Sequence, residues 1–421
     1  MEGHNNSLKI ISLNECLEIL RNACDVNSAI NIISFKLDPV STEMSGMLGE
    51  YFHLTIHAEM EMHIRKYEYF LKTLPVCGDK ENLKFVENLK VFPKEVGLYT
   101  TLFKEMDKFH VSLRWYPKCY YARPDLLIME DLTKLNYRHP KLDECFSLKH
   151  LKITLERVAA MHANSIIFEV NTGINIGEKF GHLLQESTVT TQSEWLHVGL
   201  QVKSIAASMP KYQSSSVQKF ISEEFMKCKN QMIKVGDTSN VYRNVVCHRD
   251  LWLNNILYKY DEANLFPIDC MLVDFQIARY CPPAADVMMF IYLNTGRTFR
   301  ETHINDLLKF YYNCLSRELE MAKIEINHHL TWEDFLKSCE YVRILPLNLS
   351  SMFTQLAHLP QGFLRDFKLK DPEGYMHFVT VNRDGIIFDQ MKEHAKYRDR
   401  LLECCEEIMD YVMAMPSHLF E

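Results

Sequence analysis

The stretch VVCHRDLWLNNILY, at residues 245–258, constrains this chain more than any other feature of its sequence. It holds a histidine, an arginine and an aspartate in a row, and an asparagine follows five residues after the aspartate. Four fixed letters at set spacing arise by chance in about one in 10⁵ windows. The pattern is therefore a specific signal, and we expect Asp250 and Asn255 to face one site from a loop.

A second carboxylate follows downstream in MLVDFQ, where Asp274 comes directly after the apolar run 271–273. A carboxylate in that position is costly unless it binds a cation. The letters H-R-D-L-x-x-x-N are those of the catalytic loop of protein kinases. Phosphoryl transfer needs a carboxylate at the attacking hydroxyl and oxygen ligands for Mg²⁺. We therefore expect Asp250 to act on the hydroxyl, and Asn255 and Asp274 to bind Mg²⁺.

Phosphoryl transfer also needs a lysine on the phosphates of the nucleotide and an acid that holds the lysine. In YEYFLKTLP, Phe70, Lys72 and Leu74 share one face of a predicted strand, which predicts an inward-pointing Lys72. The alternative is a surface lysine that lays its apolar stem on the protein. Glu95 borders the apolar stripe of the next predicted helix and is the expected partner. An ordinary first-turn acid behind Pro93 is the competing interpretation.

Two further candidates have competing structural explanations. STEMSGMLGEYFHL, between two predicted strands, contains Gly46 and Gly49, which would let the backbone approach the phosphates closely. A plain hairpin with two turn glycines explains the same letters. His162, in RVAAMHANS, falls on an apolar helical stretch, and we interpret it as a structural rather than a catalytic histidine.

The order of predicted elements indicates an α+β protein of two lobes. Ser12 and Glu15 form a capping box, which predicts a helix to about Cys24. Residues 29–76 are rich in β-branched and aromatic side chains and predict an antiparallel sheet. FPKEVGLYTTLFKEMDKF has helical spacing, and CYYARP and DLLIMEDL are typical of two more strands.

After Leu132 the pattern is mostly helical, with helices predicted at about 147–165, 215–233, 284–294, 301–323, 331–343 and 383–413. We therefore predict an N-terminal nucleotide-binding lobe at residues 1–131. A larger, mainly helical catalytic and substrate-binding lobe would follow at 132–421.

Composition excludes several classes of protein. The net charge of −8, from 47 Lys and Arg against 55 Asp and Glu, argues against nucleic acid as the main partner. No apolar stretch approaches the roughly 20 residues of a membrane-spanning helix. The N-terminus lacks the cationic start and apolar block of a signal peptide. Thirteen cysteines without framework spacing indicate reduced thiols, and we expect a cytoplasmic protein.

The motifs together resemble those of the insect ecdysteroid kinase-like family, within the choline kinase and aminoglycoside phosphotransferase group. They run in order from about residue 30 to 365: FLKTLP, FPKEVGLY, LIMEDL, AAMHANS, CHRDLWLNNILY, LVDFQIARYCPPAADV and QGF. The resemblance implies a protein-kinase-like fold. It also implies ATP- and Mg²⁺-dependent phosphorylation of a small-molecule hydroxyl, such as that of an ecdysteroid or another apolar alcohol.

The resemblance also implies a role for individual residues. It places adenine against the backbone from Glu130 to Leu132 and makes Asp286 a structural acid that braces the catalytic loop. The remaining roles are Lys72 as the phosphate lysine, Glu95 as its partner, Asp250 as the catalytic base, and Asn255 and Asp274 as metal ligands.

Two positions depart from the family pattern. Arg249 stands where the family usually has glycine, as in HGD. The sequence Glu50-Tyr51 replaces the Asn-Tyr of the expected glycine loop, and an inward-pointing Glu50 would face the phosphates.

Three other functions have to be weighed. In a protein kinase, D-F-G opens a long activation segment that ends at A-P-E. Here D-F-Q is followed by only the eleven residues FQIARYCPPAA before Asp286, which leaves no room for a peptide platform. A catalytically silent kinase-like protein that binds nucleotide or an apolar ligand is the second alternative, favoured by Glu50. A choline- or ethanolamine-type kinase is the third, and it would need a cage of acids and aromatic residues for the substrate cation.

Overall fold

The chain forms two compact units that are not consecutive in sequence. Unit 1 comprises Met1–Lys108, Leu113–Glu144 and Asn254–Gln276, and unit 2 comprises Phe109–Ser112, Cys145–Leu253 and Ile277–Glu421. This computed structural model describes residues 10–24, 29–40, 49–74, 87, 89–109, 113–140, 146–200, 202–225, 228–263 and 265–415. The boundary expected between residues 131 and 132 stays a prediction.

The first helix of unit 1, α1 (Leu13–Cys24), begins at the predicted capping box. The backbone N–H of Ser12 donates to Glu15 Oε2 at 2.7 Å, and the N–H of Glu15 donates to Ser12 Oγ at 3.3 Å. These two bonds satisfy donors that have no partner inside the helix. The predicted start and end of this helix are confirmed.

Unit 1 is built around a five-stranded antiparallel sheet in the order β1-β2-β3-β5-β4. Its strands are β1 (Ile30–Pro39), β2 (Glu50–Met60), β3 (His63–Thr73), β4 (Cys119–Arg123) and β5 (Leu126–Glu130). Short loops join β2 to β3 and β4 to β5, which fits neighbours that run antiparallel. The predicted N-terminal antiparallel sheet is confirmed.

The two faces of this sheet differ, because successive side chains of a strand point to opposite sides. One face joins α1 in an apolar core that includes Leu54, Ile56, Tyr69, Leu71 and Ile128. The other face carries the lysine: Tyr51 lies opposite Lys72, and His53 lies opposite Phe70. The sheet therefore holds the core on one side and the candidate site on the other.

The rest of unit 1 positions the partners of Lys72. The helix α2 (Val91–Gly97) continues through a π-helical turn (Leu98–Leu102) into α3 (Phe103–Asp107). Tyr99 and Phe103 of this segment pack edge-on against Phe275, with ring centroids 6.0 and 5.1 Å away. This aromatic cluster connects the helix that carries Glu95 to the residue after Asp274.

The remaining strands are β6 (Tyr137–Arg138), β7 (Val245–Cys247), β8 (Ile256–Tyr260), β9 (Pro267–Leu272) and β10 (Arg279–Cys281). The order β6-β8-β9 makes a three-stranded antiparallel sheet in unit 1, and β7 pairs with β10 in unit 2. The loop that carries Asp250 follows β7, and Asp274 comes two residues after β9.

Unit 2 is mainly helical. Its helices are α4 (Leu148–Thr172), α5 (Ile176–Phe180), α6 (Glu194–Gly199), α7 (Val202–Ser208), α8 (Ser215–Glu223), α9 (Cys228–Val235), α10 (Pro283–Asn294), α11 (Arg297–Met321), α12 (Trp332–Val342), α13 (Ile344–Ala357), α14 (Phe363–Lys370), α15 (Pro372–Thr380), α16 (Asp384–Glu393) and α17 (Ala395–Ala414). The predicted α+β class, with a sheet at the N-terminus and helices after it, is confirmed. No helix among the described residues is long and apolar enough to cross a membrane.

Some helix predictions were wrong in detail. The segment predicted as one helix at 383–413 is two, because α16 ends at Glu393 and α17 starts at Ala395. The helix α13, which contains Pro346 in its first turn, was not predicted from the sequence. Proline is tolerated there because the first N–H groups of a helix have no partner inside it.

Candidate active site

The side chain of Lys72 lies in a buried network of unit 1. Its Nζ donates to Glu95 Oε2 at 2.5 Å and to Asp274 Oδ1 at 2.6 Å. The exposed fractions of the three side chains are 3%, 1% and 20%. The predicted ion pair between Lys72 and Glu95 is present, and a surface lysine is excluded. The contact with Asp274 gives the lysine a second carboxylate.

Glu95 has a position that an ordinary first-turn acid would not have. The helix α2 begins at Val91, two residues before Pro93, so Glu95 lies beyond the first turn. Its Oε2 accepts from Lys72, and its Oε1 accepts from the backbone N–H of Phe275 at 3.1 Å. One carboxylate therefore positions both the lysine and the backbone next to Asp274.

The charges of this network stabilise one another. Burial alone would lower the pKa of Lys72, but the carboxylates of Asp274 and Glu95 outweigh burial and raise the pKa above its ordinary value. Burial raises the pKa of Glu95, and the nearby ammonium opposes that shift. Because the lysine stays protonated between two acids, we describe the contact as an ion pair.

The predicted metal ligands Asn255 and Asp274 both belong to unit 1. Asp274 has a φ of 69°, a left-handed conformation that aspartate tolerates better than most residues. Its Oδ2 accepts from Gln276 Nε2 at 3.3 Å. The backbone N–H of Val273 donates to the carbonyl of Asn255 at 3.0 Å, which connects the two ligand segments. Carboxylate and amide oxygens are the donors that Mg²⁺ prefers, so this donor set fits the ion.

The glycine loop is described only in part, because Gly46 lies outside the described residues. A Cβ added at Gly49 would lie 3.1 Å from the carbonyl oxygen of Thr73 and 3.8 Å from Lys72 Cε. The backbone at Gly49 therefore comes close to the lysine, and a side chain there would crowd β3. Its contact with phosphates stays a prediction.

Glu50 lies on the side of the sheet away from Lys72. It begins β2 opposite Thr73, whereas Tyr51 pairs with Lys72. Because side chains alternate along a strand, Glu50 points away from the lysine face. The acidic residue that departs from the family pattern therefore does not share the face on which phosphates are expected.

The segment predicted to contact adenine has defined packing. Glu130 ends β5, and its Oε2 lies 2.6 Å from Arg114 Nη1. Leu132 starts a 3₁₀ turn that Asp131 caps by accepting from the N–H of Thr133 at 3.0 Å. Leu132 packs in an apolar cluster with Tyr137, Leu257, Met271 and Val273. Binding of adenine by Glu130 and Leu132 stays a prediction.

In unit 2, Asp286 holds the backbone that precedes Asp250. Its Oδ2 accepts from the N–H of His248 at 2.5 Å, and its Oδ1 accepts from the N–H of Arg249 at 2.7 Å. His162 Nε2 lies 3.3 Å from Asp286 Oδ2, and Tyr311 Oη lies 2.7 Å from the other ring nitrogen. Asp286 therefore braces the loop, and His162 has a structural position, as expected.

The pKa of Asp286 follows from these contacts. Burial would raise it, but the hydrogen bonds from His162 and from the backbone of His248 outweigh burial and lower it below the ordinary value. Asp286 is thus ionised in the folded protein at neutral pH.

The backbone around Asp250 is fixed on both sides. Its N–H donates to His248 Nδ1 at 3.2 Å, and its carbonyl accepts from the N–H of Trp252 at 3.1 Å. The next carbonyl, of Leu251, accepts from Asn294 Nδ2 at 2.9 Å. Asp250 itself is 8% exposed, and its position depends on a rigid loop.

Arg249 stands at a backbone position that favours glycine. Its φ is 70°, in the left-handed region, which fits the glycine that the family usually has there. The buried guanidinium donates to the carbonyl of Gly236 at 2.8 Å. Partial burial would raise the pKa of the half-buried Glu186, but Arg279 and Arg249 outweigh it and lower the pKa of the carboxyl to about 2. Glu186 was not predicted from the sequence, because no local pattern links it to a loop 63 residues later.

By its sequence, the chain falls in a class of kinase-like proteins. It belongs to the ecdysteroid kinase-like family, whose family model matches residues 44–324. The search of curated proteins found no match.

Solved structures to which the chain has a low similarity include aminoglycoside phosphotransferases and an ethanolamine kinase. The streptomycin–ATP–APH(2″)-IIa ternary complex is 14% identical, with 85% of this chain and 95% of that chain covered and a TM-score of 0.36. The Plasmodium vivax ethanolamine kinase is 10% identical, with 76% of this chain and 82% of that chain covered and a TM-score of 0.35. Aminoglycoside phosphotransferase APH(2″)-Ib with ADP is 14% identical over 81% and 99%, with a TM-score of 0.30.

The Lys72–Glu95 pair predicts coupled effects on stability. Removing one partner of a buried pair typically costs about 3–5 kcal/mol, because the other charge stays buried. Lys72→Met and Glu95→Gln should each lower the free energy of unfolding, and the double variant should be less destabilised than their sum. A double-mutant cycle in urea measures the coupling.

The exposed pair Lys66–Glu68, on the same strand as Lys72, is the matched control for this cycle. Its coupling should stay below about 1 kcal/mol. Additive effects of the Lys72 and Glu95 substitutions would contradict the pairing.

Asp286 predicts a pH-dependent contribution to stability. Because its folded pKa is lowered, its stabilisation is complete above the unfolded value, about 4, and disappears as pH falls through the folded pKa. Asp286→Asn should therefore lower the thermal midpoint by a constant amount between pH 5 and 8, and the difference should shrink below about pH 4. The exposed Asp389→Asn is the control. A difference that stays constant down to pH 2 would exclude ionised Asp286 as the cause.

Proposed function

We propose that this protein is an ATP- and Mg²⁺-dependent kinase that phosphorylates a hydroxyl group of a small molecule. The observation that carries the proposal is the buried contact of Lys72 with both Glu95 and Asp274. A lysine paired with a helix acid, and an aspartate that follows a buried strand, are parts that phosphoryl transfer requires. A catalytically silent protein would not need to keep the charges of Lys72, Glu95 and Asp274 in this arrangement. Glu50, the residue that favours the silent alternative, points away from these charges.

In the proposed reaction, Lys72 binds the phosphates of ATP and Glu95 keeps the ammonium in place. Asn255 and Asp274 would hold Mg²⁺, which supplies positive charge against the phosphate oxygens. Adenine would contact the backbone from Glu130 to Leu132, as the family resemblance implies.

Asp250 is the proposed base. It accepts the proton of the substrate hydroxyl while that oxygen bonds to the γ-phosphorus, and the bond from phosphorus to the bridging oxygen of ADP breaks. The loop that carries Asp250 is held by Asp286 through two backbone N–H groups, so little reorganisation is required. The products are a phosphorylated alcohol and ADP.

An apolar alcohol is the acceptor that we propose. The methionine and aromatic residues of α10, such as Met288 and Phe290, are buried core, and so is Met352 of α13. Phe353 is only half-buried, and its ring centroid lies 6.1 Å from that of Trp252, two residues after Asp250. A half-buried aromatic pair close in sequence to the proposed base favours an acceptor with an apolar body.

Asp250→Asn should abolish phosphoryl transfer but leave ADP binding intact. General base catalysis contributes about 10²–10⁴-fold, whereas nucleotide binding is assigned to residues of unit 1. The assay incubates protein, Mg-ATP and hydroxylated molecules, including ecdysteroids, other apolar alcohols and amino alcohols, and detects phosphorylation by mass.

The exposed Asp306→Asn, also in unit 2, is the control for this substitution and should keep full turnover. An Asp250→Asn enzyme with more than about a tenth of wild-type turnover would show that Asp250 is not the base. A wild-type protein that binds ADP but phosphorylates none of these molecules would favour the silent alternative.

Phe353→Ala should raise the KM for the acceptor and leave the KM for ATP unchanged. Loss of an apolar contact in a binding site typically costs tenfold or more, so we expect an increase of at least about tenfold. Phe310→Ala, at another half-buried phenylalanine of unit 2, is the control. Equal changes in both KM values would contradict a role for Phe353 in acceptor binding.

A further inference from the structure

Two buried arginines of unit 2 act on the same carboxylate. Arg249 and Arg279 are each 4% exposed. Arg279 lies on β10 opposite Cys247 of β7, and Arg249 follows two residues after Cys247. Arg279 Nη1 lies 2.9 Å from Glu186 Oε2, and the charges of both arginines act on this carboxyl group. Because two cations removed from water repel each other, they need a nearby anion to stabilise them.

Glu186 is held in place by its own loop. Its Oε1 accepts from three consecutive backbone N–H groups, those of residues 187–189, at 2.9–3.0 Å, which leaves Oε2 directed at Arg279. The side chain of Glu186 is 18% exposed, against 65% for Asp237, the second acid that pairs with Arg279. Water screens the charge of Asp237 more strongly, so Glu186 is the main compensating anion.

Arg249 connects this anion to the proposed base. Its backbone N–H donates to Asp286 Oδ1 at 2.7 Å, and its Nη1 donates to the carbonyl of Gly236 at 2.8 Å. A Cβ added at Gly236 would lie 3.3 Å from Arg249 Nη2, so the guanidinium fits closely there. The backbone of Arg249 is left-handed, with a φ of 70°, and Asp250 is the next residue. A displaced guanidinium would therefore release an unfavourable conformation directly before Asp250.

We propose that Glu186 is a positioning residue for phosphoryl transfer. Its charge holds the guanidinium of Arg249 in place, and Arg249 in turn fixes the backbone next to Asp250. This inference rests on the proposed function, because the position of Asp250 affects turnover only if Asp250 accepts the proton of the acceptor. The contacts of Glu186 are with its own loop and with Arg279, so its loss should slow transfer without weakening ligand binding.

Glu186→Gln tests the proposal, because glutamine keeps an oxygen for the three N–H groups but loses the charge. A small misplacement of a reacting group can cost about 10²-fold in rate, so we expect kcat to fall by about that factor. The KM values for ATP and for the acceptor should stay within about twofold of the wild type. The assay uses the full-length protein and the hydroxylated molecule that the wild type phosphorylates best.

Arg249→Gly provides the background that separates positioning from a general effect on folding. Glycine adopts the left-handed conformation without a side chain, so no buried cation at position 249 then needs the anion. In this background, the further loss of kcat caused by Glu186→Gln should be at least about tenfold smaller than in the wild type.

Asp237→Asn is the matched control, because it removes the other acid of Arg279. It should keep kcat within about twofold of the wild type, since an exposed ion pair contributes little.

Amide hydrogen exchange gives a second measurement, which does not depend on turnover. Asp286 accepts from the N–H groups of His248 and Arg249, and these bonds protect them from exchange. In Glu186→Gln, the peptide that covers residues 245–253 should exchange at least about tenfold faster than in the wild type. Strand β3 of unit 1 is the internal control, and its exchange should not change.

Three kinetic results would overturn the inference and leave the proposed function standing. They are a kcat of Glu186→Gln within about twofold of the wild type, a higher KM in place of a lower kcat, and an equal loss of kcat in the Arg249→Gly background. If the wild type phosphorylates no acceptor, the proposed function is wrong, and hydrogen exchange then tests whether Glu186 holds the loop. Unchanged exchange at residues 245–253 would show that it does not.

Discussion

The contact of Lys72 with two acids is the interaction on which unit 1 depends. A buried ammonium requires anionic partners, and Glu95 and Asp274 supply them from positions 23 and 202 residues away in the sequence. The strand, the helix and the segment after β9 must therefore all be in place before the charge is compensated. The aromatic packing of Tyr99 and Phe103 on Phe275 connects two of these three elements with apolar contacts.

Each unit uses a buried carboxylate to fix the backbone beside an aspartate with a proposed function. Glu95 accepts from the N–H of Phe275, next to Asp274, and Asp286 accepts from two N–H groups just before Asp250. Each of these two backbone segments contains a residue with positive φ. Such a conformation carries a strain of about 1–3 kcal/mol, which other interactions must offset. Charge-assisted hydrogen bonds are strong enough to hold such conformations.

Local patterns in the sequence predicted much of the fold and of the site. Strand alternation predicted the inward direction of Lys72, helical spacing identified Glu95, and the capping box predicted the start of α1. The direct contact of Lys72 with Asp274 was not predictable, because it depends on tertiary packing. The same holds for Glu186 beside Arg249. The helix α13 was not predicted, and its Pro346 lies in the first turn, where proline is accepted.

Arg249 has an evolutionary consequence. Its left-handed backbone is costly for any residue with a side chain, and its guanidinium offsets the charge of half-buried Glu186. A lineage that replaced the arginine with glycine would relax the backbone but leave Glu186 with one cation fewer. The two positions are therefore epistatic: the harm done by a change at one depends on the residue at the other.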